Sequence, residues 1–425
     1  MSNENIDKTK ESPTAAQAEE QTEKHSYVIS DLYSLIEESQ NCDVLEEIDE
    51  NCNTIELPDP EADARIQRIK DEAIAEYEAK KAEEAKELER KKSEERKSLR
   101  KTFSSCGWSV LLLMGIWMGL TLGVSVVAGI IEGIGDSGLI VLQTSPMDIY
   151  MKYYLIINEV TLLVAVFIAS LLLKTKEPVK VEKRGVAFGK FLMLFPVCFA
   201  ISTAGNLISN TISMFSGSAE EIDELTQILS STNVWIAFIC TGIVAPIIEE
   251  LFFRKMLIDR LRPHGEMVCL IVPSLFFALF HQNVGQLFYA FGLGLLFSHL
   301  YYHSGRCSLT IILHAVFNTI GTIPILFYDT IFELEDALYL VIDGAASPDI
   351  LYEFIVPIII YLVYALVLFA LAITGIILIC TNYKKIKISK SESVLSPAEQ
   401  RAVFFKTPGI IISLIVTGIL TLASL

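Results

Sequence analysis

Hydrophobic residues in this chain come in long blocks, not at the spacing of a soluble helix or strand. Nine blocks, at about 107–131, 153–173, 188–213, 233–254, 267–283, 286–302, 307–327, 352–381 and 408–425, approach or exceed the length a helix needs to cross ~30 Å of hydrocarbon. The pattern predicts an all-α fold: a polytopic transmembrane helical bundle of eight or nine spans. The short pair 267–302 also fits two buried re-entrant pieces.

The polar segments between blocks alternate in charge. Lys174, Lys176, Lys180, Lys183, Arg184 and Lys190 crowd 174–190, and further basic residues gather at Arg254–Arg262, Arg306 and Lys384–Lys390. The alternate segments 132–150, 214–232 and 328–351 hold acids and no Lys or Arg. Because Lys and Arg accumulate on the cytoplasmic side, the basic loops and the N-terminus are expected there, in a multi-pass protein of the cell membrane.

Upstream of the first block the text changes twice. Residues 1–60 hold 16 Asp and Glu against 3 Lys, which is −13 of a formal net charge of −17. Such a composition predicts an acidic, disordered tail. Residues 61–102 are dominated by Ala, Glu, Lys and Arg and predict a charged helix; eight of their basic residues fall between Lys86 and Lys101, placed for anionic headgroups. Residues 103–425 then form the transmembrane domain. The acidity is local, so nucleic acid is not expected as a partner, and the bilayer is.

Eight cysteines show neither the paired spacing of a zinc site nor the density of a disulfide scaffold, and most lie in apolar blocks where they act as small hydrophobes. Cys240, Cys269 and Cys307 have no evident activating neighbour for thiol catalysis. No secretory signal peptide is expected from the polar opening.

Charge inside the blocks carries the chemistry. In "PIIEELFFRKML" Glu250 and Arg254 are four residues apart and share a helix face, which permits an ion pair, while Glu249 points ~100° away. Read against the apolar block 233–254, this cluster falls near the cytoplasmic end of its span. Phe277 and His281, and His314 and Asn318, repeat the four-residue spacing in two further blocks. An acid or polar group in hydrocarbon is costly, so clusters in three spans are expected to satisfy one another around one site. Snorkelling to the interface is the plainer reading of the glutamates, and a hydrogen-bonded core role that of each histidine. Asn158 and Glu159 form another intramembrane polar pair, read as structural or cavity-lining. His264, His299 and His303 read as wet interface histidines.

These residues resemble the CPBP intramembrane proteases, the group of CAAX prenyl-protein endopeptidases and bacteriocin-processing or immunity proteins. Glu249, Glu250 and Arg254 match an E-E-x-x-x-R motif, Phe277 and His281 an F-x-x-x-H motif, and His314 and Asn318 an H-x-x-x-N motif, all in the family's order. The likeness covers about 190–325. It implies a metal-independent endopeptidase acting on a peptide or membrane-protein tail near the cytoplasmic leaflet. In that reading Glu249 is the base, His281 helps hold the water, Glu250 and Arg254 are the electrostatic pair, and His314 and Asn318 donate to the oxyanion. Phe277 would line the substrate cavity.

No cofactor is expected, although two histidines and a glutamate also make a known zinc set. Two other readings compete with proteolysis: a non-catalytic scaffold or immunity protein of the same fold, and a proton-relaying transporter. The lack of an evident internal repeat disfavours the transporter.

Overall fold

The computed structural model describes residues 60–137, 143–174, 179, 181–216, 232–385, 388–389 and 393–424. The tail expected over 1–60 lies outside them apart from Pro60, as do Lys176, Lys180, Lys390 and most of the acidic segment 214–232.

The chain divides into two compact units after Lys80. As far as it is described, the first unit is helical, with nearly every described side chain exposed and Gln67 donating to Asp71 one turn on, at 2.9 Å. The second unit, Lys81–Leu425, carries all the long apolar helices. Helix α1 is continuous over Pro60–Asp136, passing residue 102 without a break. There follow α2 (Pro146–Lys152), α3 (Tyr154–Leu173), α4 (Phe188–Ser216), α5 (Val234–His264), α6 (Glu266–Phe280), α7 (Val284–Ser304), α8 (Cys307–Thr322), α9 (Tyr328–Ile342), α10 (Tyr352–Asn382), α11 (Pro397–Phe405) and α12 (Pro408–Leu422). No strand occurs among the described residues.

Among the described residues, seven helical stretches are long and apolar enough to cross a membrane, or eight if α11 and α12, bent by 69°, are one broken span. This is a multi-pass, all-α membrane protein. The block at 267–283 becomes α6, whose 15 residues extend only ~22 Å and stop short of a full crossing. Exposed Leu, Ile, Val and Phe cover α10, including Leu366 and Phe369, and a surface of that kind is stable only against lipid. Aromatic side chains fill the inside: Phe103, Phe252, Phe253, Phe276 and Phe277 share one buried cluster across α1, α5 and α6.

The end of the charged helix is fastened to the C-terminal segment. Arg96 pairs with Glu399 at 2.6 Å, and Lys92 stands 3.6 Å from the same carboxylate. Glu95 accepts the Val394 N–H at 2.9 Å and a hydrogen bond from Ser393. Ser396 and Glu399 close a capping box at the start of α11. Lys92 and Arg96 therefore meet protein where headgroups were expected. Farther along, a Cβ on Gly107 would stand 2.3 Å from the Gly409 carbonyl oxygen, so the glycine is what lets α1 and α12 touch.

Candidate active site

Helix α5 is the backbone of the site, and it is not a regular helix. Two π-turns, Cys240–Val244 and Leu251–Met256, bracket the α-helical segment Ala245–Glu250. In the first, the Ala245 N–H reaches back five residues to the Cys240 carbonyl. The next carbonyl in that register, on Thr241, would need the N–H of residue 246, and residue 246 is proline. Asn318 on α8 fills the gap, its Nδ2–H donating to the Thr241 oxygen at 3.1 Å. Gly242 allows the approach: a Cβ there would stand 2.6 Å from Thr319 Oγ1.

The helix runs on to His264, so Glu249 and Glu250 sit midway along α5 and not near its end. The apolar block had stopped at Arg254 because charge interrupts it. The structure buries that charge completely: Glu250 and Arg254 are each 0% exposed.

Glu250 is the hub. Its Oε1 lies 3.2 Å from Arg254 Nη1, as an ion pair whose angle makes no hydrogen bond, and accepts the His314 Nδ1–H at 3.0 Å. Cys307 donates its thiol hydrogen to the Glu250 carbonyl at 3.5 Å. Arg254 lies over the Phe277 ring at 4.1 Å and the Phe297 ring at 5.3 Å. His314 packs between the same two rings, with centroids at 5.7 and 5.2 Å. Phe277 thus spends its face on the guanidinium and is buried; it floors the cluster instead of lining an open cavity.

Glu249 points elsewhere. Its Oε2 is buried, has no hydrogen-bond partner among the described residues, and lies 3.8 Å from His314 Nε2. Arg254, Glu250, His314 and Glu249 therefore form one line of contacts that ends in a carboxylate oxygen without a hydrogen bond among the described residues. His281 caps α6. Its Nδ1–H donates to the Phe277 carbonyl at 2.7 Å, which fixes the tautomer and leaves Nε2 as an acceptor. The next residue, Gln282, takes φ +51°, a left-handed conformation uncommon outside glycine, and ends the helix there.

Glu249, Glu250, Arg254, Phe277 and His314 meet directly through these contacts. Asn318 joins through Thr241, and His281 through the edge of Phe277, at 4.9 Å between centroids. Thr241, Pro246 and Phe297 were not singled out from the sequence. The proline inside an apolar helix was the one visible signal.

The intramembrane pair on α3 is split. Asn158 accepts the Trp117 Nε1–H from α1 at 3.0 Å and donates to Glu159 Oε1 at 3.4 Å, while Glu159 Oε2 is buried without a partner among the described residues. Helix α3 packs against α5 over the first π-turn and the glutamates. Cys240 and Cys269 are buried free thiols. His264 is buried and shares a hydrogen bond with Thr102 at 3.1 Å, so it is no wet interface histidine.

A family model described as type II CAAX prenyl endopeptidase Rce1-like matches residues 231–320, a range that contains every one of these motif residues. This stretch is similar to that family. A membrane-embedded CAAX protease, MroQ, of Staphylococcus aureus (strain USA300) is 25% identical over 167 residues, covering 37% of this chain and 68% of that protein. No solved structure matches. The match runs from just before α5 to near the end of α8, so the likeness lies in these four helices.

Proposed function

We propose that the chain is an intramembrane endopeptidase that uses Glu249 as its general base on a peptide or membrane-protein tail. The observation that carries this reading is the uncommitted Glu249 Oε2, buried and 3.8 Å from an imidazole whose other nitrogen is already held by Glu250. A buried acid with no partner is expensive to keep, and a base needs that vacancy.

In the proposed step a water sits beside Glu249 and directs its second hydrogen to His281 Nε2. Its oxygen forms the bond to the substrate carbonyl carbon as Glu249 takes a proton. The oxyanion is received by the second amide hydrogen of Asn318 and by a hydrogen on His314 Nε2, the imidazole being held in place by Glu250 at Nδ1. When the C–N bond breaks, Glu249 returns its proton to the departing nitrogen. Arg254 pairs with Glu250 and acts through it, as a positioning residue.

A zinc mechanism at the same residues has less support. Among the described residues, the three-ligand cluster whose atoms lie within 4.8 Å of one another is elsewhere in the molecule. We place the basic loops and the N-terminus in the cytoplasm, with substrate entering from that leaflet. MroQ is named a CAAX protease; a tail of that type is the substrate class to try first here.

The test is cleavage of a peptide library by the purified full chain, with and without chelator. Cleavage is expected in both conditions and absent from Glu249→Gln. Cleavage that survives Glu249→Gln removes the base assignment, and activity lost to chelator and restored by zinc replaces it with metal catalysis.

A further inference from the structure

Glu266 opens α6 at the end opposite His281, about 22 Å away along the helix axis. Its side chain is 0% exposed, yet no Lys or Arg pairs with it among the described residues. Its neighbours are two histidines from α7. His303 Nε2 lies 2.8 Å from Glu266 Oε1, and His299 Nδ1 lies 3.3 Å from the same oxygen. Those histidines are four residues apart, stack at 4.4 Å between centroids, and are 34% and 39% exposed, so the cluster opens to solvent on the histidine side.

We propose that Glu266, His299 and His303 bind a divalent transition metal of the zinc class, at a site separate from the glutamate pair. One ligand atom from each lies within 4.8 Å of the other two. Metal–ligand bonds of ~2.0–2.2 Å in a tetrahedron set such atoms about 3.4 Å apart, so shifts of a few tenths of an ångström to about 1 Å complete the arrangement. Two imidazoles and one carboxylate suit zinc, nickel or copper and not calcium or magnesium. Three protein ligands leave a fourth position for water. The carboxylate is also oriented from behind, its Oε2 accepting the Ser389 N–H at 2.7 Å, the kind of outer contact that holds a metal ligand in place.

Charge favours an ion over the simpler hydrogen-bonded trio. Among the described residues the basic groups that meet this buried carboxylate are the two imidazoles, and a metal held between them and the carboxylate would supply the counter-charge. The nearby guanidinium of Arg262 is engaged with the Tyr301 and Tyr302 carbonyls, at 3.2 and 3.0 Å. A bound metal would tie α6 and α7 to the segment at Ser389 that leads towards α11, so its effect is on the stability of that junction.

The full chain in detergent, stripped of metal and titrated with Co2+, provides the test. One equivalent is expected to bind with visible absorption bands and to be displaced by Zn2+. His299→Ala with His303→Ala should weaken binding by more than ~100-fold, beyond the ~10–100-fold cost of disturbing an outer-shell partner. Glu249→Gln should bind as the unaltered chain does. Glu266→Gln, which keeps the shape and removes the charge, should also lose the bands, and serves if the double variant does not fold. Zn2+ should raise the unfolding temperature of the unaltered chain and not that of Glu266→Gln. The proposal is overturned if the unaltered chain takes up no Co2+, if the bands persist in either site variant, or if they vanish in Glu249→Gln.

Discussion

The glutamate pair on α5 and the junction between α1 and the C-terminal segment are both built from acids, bases and hydroxyls, and they treat them in opposite ways. At the junction, Arg96 has Glu399, Glu95 has Val394 and Ser393, and Ser396 and Glu399 cap each other. In the middle of α5, all three guanidinium nitrogens of Arg254 and one oxygen each of Glu249 and Glu250 are buried without a hydrogen bond among the described residues. Water is close at hand beside the first cluster, so an imperfect contact there costs little. The second is buried, where a polar group left without a hydrogen bond costs about 1–3 kcal/mol or more, so its persistence asks for a use.

Substitutions can break this contrast. The largest separation is expected from Glu249→Gln: cleavage should fall about 10²–10⁴-fold while the unfolding midpoint in detergent hardly moves, because the amide keeps the shape and loses the base. A parallel loss of stability would make Glu249 a structural acid. Next, Arg254→Ala leaves Glu250 buried without its counter-ion, and should cost about 3–5 kcal/mol in denaturant unfolding as well as activity. Stability unchanged by that substitution would mean the pair is not dry. Asn318→Ala frees the Thr241 carbonyl, and a loss of about 1–3 kcal/mol is expected, with reduced cleavage measured in the same preparation. Smallest is Ser396→Ala, which removes one side of the capping box for about 1 kcal/mol and should leave cleavage untouched. If Ser396→Ala proved more harmful to cleavage than Asn318→Ala, the two regions would have exchanged roles.

Much of the site was legible because polar residues in apolar text stand out at helical spacing. Glu250 and Arg254 do pair one turn apart, and His314 does reach the glutamates. What could not be read were the contacts made across helices. His299 and His303 announce a shared face by their spacing, but the carboxylate they meet belongs to another helix, so they passed for wet surface residues. Lys92 and Arg96 looked ready for headgroups because Glu399, some 300 residues later, is invisible to local pattern. The position of the glutamate pair along its helix could not be read for a related reason: hydropathy ends at Arg254, whereas the helix, with its charges buried by Phe277 and Phe297, does not.

A π-turn is an α-helix holding one residue too many, and α5 holds two of them within 31 residues. Each surplus residue turns everything beyond it by about 100° relative to an uninterrupted helix. The direction in which Glu249 faces is therefore set by a count upstream, at 240–244, and not by any contact of its own. A single-codon deletion in that stretch would swing the carboxylate about a quarter-turn out of line with His314 while leaving every motif letter intact. The reverse change, one codon gained in a plain membrane helix, is a short genetic route by which such a helix could acquire a site.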